Sequence, residues 1–426
     1  MIPKSQREEI IALINREVVP AIGCTEPVAV ALCVAKATEL LGSTPEKIEV
    51  ALSSNVLKNA MGVGIPGTGM IGLPIAIALG SLIGKSEYLL EVLKDVNPEA
   101  VEKGKIFIAE NRINISLDEN APSKLHIDIT AIAGNHSAKA TITGAHTNFV
   151  YLAKDDNVIL NTPYSEENTQ ESNDQELNLS TVWEFAMETP IEEIEFILEA
   201  KRLNKAAALK ALEGNYGHSL GSTIRKNGKQ FFGDTPMEHM LTYTSAACDA
   251  RMAGAMIPVM SNSGSGNQGI TATMPVVSYA EDINATDEQL IRALTLSHLT
   301  SIYIKQSLGR LSALCGCVVA STGASSALVY LMGGGYNEVC AAIKNMVANL
   351  TGMLCDGAKP SCAMKVSSGV STAMMSAMLA MNGRCVTSAE GIVSDDVDQS
   401  IHNLTSIGRD AMTETDRLVL KIMTSK

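Results

Sequence analysis

The sequence predicts an α+β fold: a mainly helical domain with a smaller inserted α+β domain containing an antiparallel sheet. Three observations predict it. Apolar residues recur at helical spacing in two N-terminal stretches and through almost all of residues 180–426. Between these, from 46 to about 162, short runs alternate polar and apolar residues as half-buried strands do. With 426 residues, 46% of them hydrophobic, the chain can build a large core, which excludes wholesale disorder. The expected organisation is 1–45, N-terminal helices belonging to the helical domain; 46–164, the α+β domain; 165–179, a polar linker; and 180–426, the helical domain proper.

Each element has a local reason. Residues 4–17 and 25–42 carry helical spacing, and Thr25-Glu26-Pro27 opens the second helix with a hydroxyl, an acid in the first turn and a proline where no amide hydrogen is needed. Gly42 and Pro45 close it. KIEVAL (47–52) alternates as a strand. A Gly-rich segment, 61–84, and a helical-looking one, 86–104, follow, then strand-like runs at 105–117, 124–133 and 137–143. Gly134-Asn135 reads as the hairpin turn between the last two. FVYLAK and NVIL are split by Asp155-Asp156-Asn157. Residues 165–178 are polar and acidic, without apolar period, as an exposed linker is. From 191 a single strong helix is expected, ending at Gly214. No repeat of 20–50 residues occurs.

Composition narrows the function classes. The formal charge of −13 repels phosphate backbones and anionic lipid, so nucleic acid is not an expected partner. The N-terminus mixes acids and bases among apolar residues, as an amphipathic helix does and a secretion signal does not. Nine cysteines, an odd number, point to a reducing cytoplasm and to thiols kept for chemistry or metal. Residues 67–84, 252–280 and 311–337 carry no charge, yet Pro74 with five glycines in the first and SNSGSGNQG in the second mark buried helices and loops, not membrane spans. Aromatics are 4% against 33 Gly and 20 Met, a mixture that suits closely packed helices with Met in the gaps.

Several motifs could carry chemistry. Gly62-Val63-Gly64-Ile65-Pro66-Gly67 matches GxGxxG literally, but Pro66 interrupts it and no parallel-sheet pattern follows, so it reads as a Gly-rich turn near a pocket. The seven His are scattered with no metal spacing; His146, in GAHTN at a strand edge, stands apart. Cys33 and Cys340 lie in apolar helical runs, and Cys248 and Cys385 have no local partner. Cys355 and Cys362 bracket a loop with two turn signals, and Cys315-Gly316-Cys317 lies about forty residues upstream. Three soft ligands of this kind are what an iron–sulfur cluster needs, and buried unpaired thiols are the alternative on spacing alone. Cys24, directly before a helix, is either a thiolate stabilised by the helix N-terminus or a packing residue on its first turn. Ser261–Gly269 (SNSGSGNQG) in the middle of an uncharged stretch reads as the polar wall of a pocket, with a helix-breaking linker as the alternative.

Together, GCTEPVA (23–29), SNSGSGNQG, LCGCV (314–318) and CDGAKPSCAMKV (355–366) resemble the L-cysteine desulfidase family, which is related to the iron–sulfur L-serine dehydratases. The resemblance spans essentially the whole chain. It implies a [4Fe-4S] cluster held by Cys315, Cys355 and Cys362, with Cys317 a neighbour, in a catalytic helical domain. It also implies Cys24 as the base in an α,β-elimination of L-cysteine to sulfide, ammonia and pyruvate. Ser53, Asn55, Asn59, His146, Asn148, Ser263, Ser265 and Asn267 are the candidate substrate-binding residues, and Lys359 and Lys365 could offset the cluster's charge. Where serine dehydratases carry Ser-Ser-Ser-His-Thr, this chain reads Ser53-Ser54-Asn55, and Cys355 and Cys362 are closer together than their counterparts; both departures favour cysteine over serine. The alternatives are L-serine deamination by the same mechanism and a non-catalytic iron–sulfur or thiol sensor. The expected partner is a small amino acid, with no nucleic acid and no membrane; a homodimer is the assembly considered, and the sequence does not fix the oligomeric state.

Overall fold

A computed structural model describes residues 2–162, 164, 177–309 and 311–425. The chain opens with α1 (Lys4–Glu17), β1 (Pro20–Ile22) and α2 (Thr25–Leu41), then β2 (Lys47–Leu52), α3 (Ser54–Ala60), α4 (Leu73–Leu82) and α5 (Pro98–Ala109). Strands β3 (Ile113–Leu117), β4 (His126–Ala133), β5 (His136–Thr143), β6 (Phe149–Lys154) and β7 (Asn157–Asn161) follow. The rest is helical: α6 (Leu179–Glu188), α7 (Leu198–Glu213), α8 (Leu220–Asn227), α9 (Pro236–Met252), strand β8 (Pro258–Met260), α10 (Gly266–Asp282), α11 (Asp287–Leu308), α12 (Gly316–Leu331), α13 (Tyr336–Leu350), α14 (Cys362–Met381), α15 (Val397–Ser406) and α16 (Thr413–Thr424). The mainly helical α+β class is as expected. Of the expected linker, 165–176 lie outside the described residues; Leu179 already starts α6.

Six strands form one sheet in the order β3-β2-β4-β5-β6-β7. It is mixed and not purely antiparallel, because β2 and β3 run parallel, Ile48 opposite Ile113 through Leu52 opposite Leu117. The residues between them supply α3, α4 and α5, long enough for the crossover that a parallel pair requires. The other neighbours are antiparallel, and the Gly134-Asn135 turn joins β4 to β5 as expected. The strand expected from 105 begins only at Ile113. Residues 105–109 instead end α5, whose N-cap Asn97 accepts from Ala100 N at 3.0 Å and whose buried Ala100, Val101, Gly104 and Phe107 share one helical face. The helix expected to run unbroken to Gly214 is interrupted by a 3₁₀ turn at Glu195–Ile197.

Two large apolar cores and two smaller clusters result. One joins α1 to the helices from α6 onward. The other places α2 and α4 on the sheet: Ile127, Ile129 and Ala131 of β4 and Ala138, Ala140 and Ile142 of β5 alternate into it. The second N-terminal helix therefore packs with the sheet and not, as its position in the sequence suggested, with the helical part. Gly80 of α4 explains how close this packing is: a Cβ there would come within 2.5 Å of the Ala31 carbonyl oxygen. Two links cross between the cores. β1 pairs antiparallel with β8, Ala21 opposite Val259, and α16 returns to the sheet side, burying Leu420 in its core. Among the described residues no helix is long and apolar enough to cross a membrane.

Candidate active site

Where the two parts meet, a cavity of about 100 Å³ opens, lined by the ends of helices. Cys24 caps α2, Ser265 caps α10, Cys315 caps α12, and Cys362 is the first residue of α14. Four helix N-termini thus face one space, and each contributes unpaired amides and the positive end of a dipole.

The thiols reach it from two loops locked side by side. Cys315 N donates to Met353 O at 3.0 Å, and Cys355 N donates to Ala313 O at 2.7 Å, a single antiparallel bridge between residues forty apart. The turn signals Asp356-Gly357 and Lys359-Pro360 then bring Cys362 back: its N–H donates to Lys359 O at 2.9 Å. Cys315, Cys355 and Cys362 all line the cavity. Burial pushes the Cys362 thiol up to about 11, and burial with the neighbouring Cys315 raises Cys355. A hydrogen bond from Cys317 pulls Cys315 down to about 7, with Lys365 acting in the same direction. Cys317 also lines the cavity; its Sγ lies 3.2 Å from Lys365 O and from Met353 Sδ. All nine cysteines are free thiols. Lys359 and Lys365 both pair with Asp356, and Lys365 also donates to Leu354 O at 2.7 Å. Burial alone would raise the Asp356 carboxyl, but the two lysines hold it down at about 2. A third cation was not foreseen. Lys58 is fully buried, pairs with Asp416 of α16, and donates to Cys355 O at 3.3 Å.

Cys24 is 2% exposed and its Sγ–H donates to Glu26 Oε2 at 3.0 Å. Its setting corrects the expectation of a thiolate. Burial and the Glu26 charge push the thiol well above its ordinary value, and Arg251 opposes them too weakly. The helix dipole is outweighed because desolvation acts on the whole charge and the carboxylate is in contact. Glu26, 8% exposed, accepts from Cys24, from Thr25 Oγ1 at 3.2 Å and from Asn59 Nδ2 at 3.1 Å. Burial would raise its carboxyl, but His146, the Cys24 hydrogen bond and Arg251 hold it below the usual range.

The SNSGSGNQG segment forms a third wall. Asn262 anchors it, donating to His298 O at 3.1 Å while Gln268 Nε2 and Ser263 Oγ donate to its Oδ1 at 2.9 Å each. His298 is buried between Asn262 and Thr273, and desolvation drives its pKa down to about 3, so it is neutral and structural. Arg251, at the end of α9, is 3% exposed and lines the cavity. Its Nη1 donates to Asn267 Oδ1 at 3.1 Å, its Nε is buried without a hydrogen-bond partner, and it makes no ion pair among the described residues.

Of the sequence candidates, Cys24, Asn59, Ser265, Asn267, Cys315, Cys355 and Cys362 line one cavity. Five others do not, because they hold the scaffold. Ser53 caps α3, its Oγ donating to Lys124 O at 2.8 Å and accepting from His126 N. Asn55 donates to Asp416 Oδ2 at 2.7 Å. Asn148 closes the β5–β6 turn by donating to Thr143 O at 2.9 Å. Ser263 turns its hydroxyl to Asn262. His146, buried in the same β5–β6 turn, favours the ionised form of Glu26 through its charge. Sequence reasoning missed Glu26, Gln268 and Arg251. Glu26 was read as a cap charge, although an acid starting so apolar a helix is a signal of burial; Arg251 is the last charge before a stretch without any.

A family model described as the serine dehydratase alpha chain matches residues 87–421. A protein of Bacteroides thetaiotaomicron is 65% identical over 424 residues, 99% of this chain and 99% of its own. One of Phocaeicola vulgatus is 65% identical over 428 residues, covering 100% of this chain and 99% of its own. One of Oleidesulfovibrio alaskensis is 48% identical over 425 residues, 99% of each. All three are described as UPF0597 proteins.

Proposed function

This chain belongs to the serine dehydratase alpha chain family, and from that premise we propose that it is an iron–sulfur-dependent lyase that eliminates sulfide from L-cysteine, giving ammonia and pyruvate. The observation that carries the reading is the meeting of Cys315, Cys355 and Cys362 with Cys24 on one cavity rimmed by four helix N-termini. Three thiols on two locked loops are a donor set suited to a [4Fe-4S] cluster, and Lys58, Lys365 and the helix ends offset its negative charge. When bound, such a cluster supplies an iron with one position not taken by protein, a Lewis acid for the leaving group.

The chain's own residues supply the rest. Cys24 must lose its proton to act as a base, and with Glu26, its hydrogen-bond partner at 3.0 Å, held ionised, that proton leaves to solvent. The Cα proton then passes to the Cys24 sulfur, the Cα–H electrons form the Cα=Cβ bond, and the Cβ–S bond breaks with its pair leaving on sulfur. The released aminoacrylate hydrolyses to pyruvate and ammonia in water. Asn59, Ser265 and Asn267 offer neutral hydrogen-bonding groups at the walls. The family description supports a second reading, L-serine as the substrate of the same elimination.

The test is pyruvate, sulfide and iron measured on anaerobically reconstituted protein. L-cysteine is expected to turn over with L-serine slower or inert, because hydroxide leaves less readily than hydrosulfide. Higher kcat/KM on serine would replace the first reading by the second. Cys315→Ala, Cys355→Ala and Cys362→Ala are each expected to lose iron while Cys317→Ala keeps it; the reverse pattern at 315 and 317 would overturn the ligand set.

A further inference from the structure

The cavity holds a buried cation and a buried anion, and the cation does not meet its full complement within the protein. A guanidinium has five N–H donors and cannot shed its charge at any ordinary pH. Arg251 uses Nη1 on Asn267, leaves Nε buried without a partner, and has no carboxylate paired with it among the described residues. Burying a charge this way is unfavourable unless an anion joins it. The backbone is shaped around this side chain: a Cβ on Gly266 would lie 2.2 Å from Arg251 Nε, which explains why a glycine follows Ser265 in the polar segment.

The opposite charge is close by. Glu26 lies on the same cavity, its two oxygens accepting from three neutral donors, with His146, which does not line the cavity, also favouring its ionised form. The charge of the Cys24–Glu26 pair is the same whichever of the two holds their shared proton. Two further acceptors on this cavity, Gln268 Oε1 and Asn59 Oδ1, are buried without hydrogen-bond partners. An ammonium has three N–H donors and no acceptor, so it suits a carboxylate flanked by amide oxygens.

We propose that Arg251 receives the α-carboxylate of an amino-acid zwitterion while Glu26, with the amide oxygens of Gln268 and Asn59, receives its α-ammonium. The pocket thereby selects α-amino acids over thiols bearing only one of the two charges. This deepens the lyase reading and rests on it for the identity of the amino acid, though not for the two charges.

Three thiols test it: L-cysteine, 3-mercaptopropionate, which lacks the ammonium, and cysteamine, which lacks the carboxylate. Their dissociation constants are measured by calorimetry on the reconstituted protein. Arg251→Gln is expected to weaken L-cysteine and 3-mercaptopropionate at least tenfold and leave cysteamine unchanged. Glu26→Gln is expected to weaken L-cysteine and cysteamine at least tenfold and leave 3-mercaptopropionate unchanged. Gly266→Ala keeps the guanidinium but displaces it, and should repeat the Arg251→Gln pattern even if that variant does not fold. Equal losses on all three thiols in Arg251→Gln and Gly266→Ala, or no loss on L-cysteine, would overturn the proposal. The charge pattern seen without pyruvate formation by the wild type would leave the receptor standing and end the elimination reading. Pyruvate formation without the pattern would do the reverse.

Discussion

The proton between Cys24 and Glu26 decides when the site can act. Burial and the neighbouring carboxylate both favour the neutral thiol, while the same hydrogen bond helps keep Glu26 ionised. The sign of the pH dependence follows. A base that must be deprotonated, with its pKa raised, gains activity as pH rises. Glu26→Gln removes the second cause of that rise, so Cys24 should ionise at lower pH than in the wild type. The rate of Cys24 alkylation against pH, resolved by peptide mass spectrometry, checks this; a shift to higher pH would contradict the assignment of the cause. Cys24→Ser should retain iron and lose about 10²–10⁴-fold in turnover, the usual worth of a positioned general base. Iron loss in that variant would make Cys24 a ligand.

At the scale of elements, short segments are held by a few buried polar contacts. α3 carries both Asn55 and Lys58 to Asp416 on α16, and Lys58 extends the link to the Cys355 carbonyl. The ion pair is buried on both sides, and removing one member leaves a charge with no water to solvate it. Asp416→Ala should therefore destabilise the protein by about 3–5 kcal/mol, measured by chemical denaturation. The variant should also hold iron less firmly, because Lys58, which donates to the Cys355 carbonyl, loses the partner that positions it. A change below about 1 kcal/mol would mean that Lys58 finds another partner. The opposite wall depends on Asn262, whose side chain gathers His298, Ser263 and Gln268 into one network.

At the scale of the molecule, the cavity exists only where the sheet-bearing and helical cores are held together by the β1–β8 pair and by α16. That connection predicts cooperative unfolding. Trp183, the chain's single tryptophan, lies on α6 against the helical core. Asp416→Ala should shift its fluorescence midpoint by as much as the far-UV circular dichroism midpoint; two separate shifts would mean that the cores unfold independently.

The sequence by itself determined most of the elements and the loop that brings two of the thiols together. Periodicity, caps and turn residues are local, so they are readable at Thr25–Pro27, at KIEVAL and at Gly134-Asn135, and Cys355 and Cys362 announce a loop through their turn signals. Local signals misled where they overlapped, as at 105–109, where the end of a helix alternates like a strand. Tertiary structure alone decided which core receives α2, that β3 joins parallel, and that Ser53, Asn55 and Asn148 spend their hydrogen bonds on the scaffold. It also decided the upward shift of the Cys24 thiol and the isolation of Arg251. Cys24 is pushed up by burial and by Glu26 two residues away, against Arg251, and Arg251 has no paired carboxylate among the described residues; burial and the approach of Arg251 are set by the tertiary fold, and no window of sequence contains them.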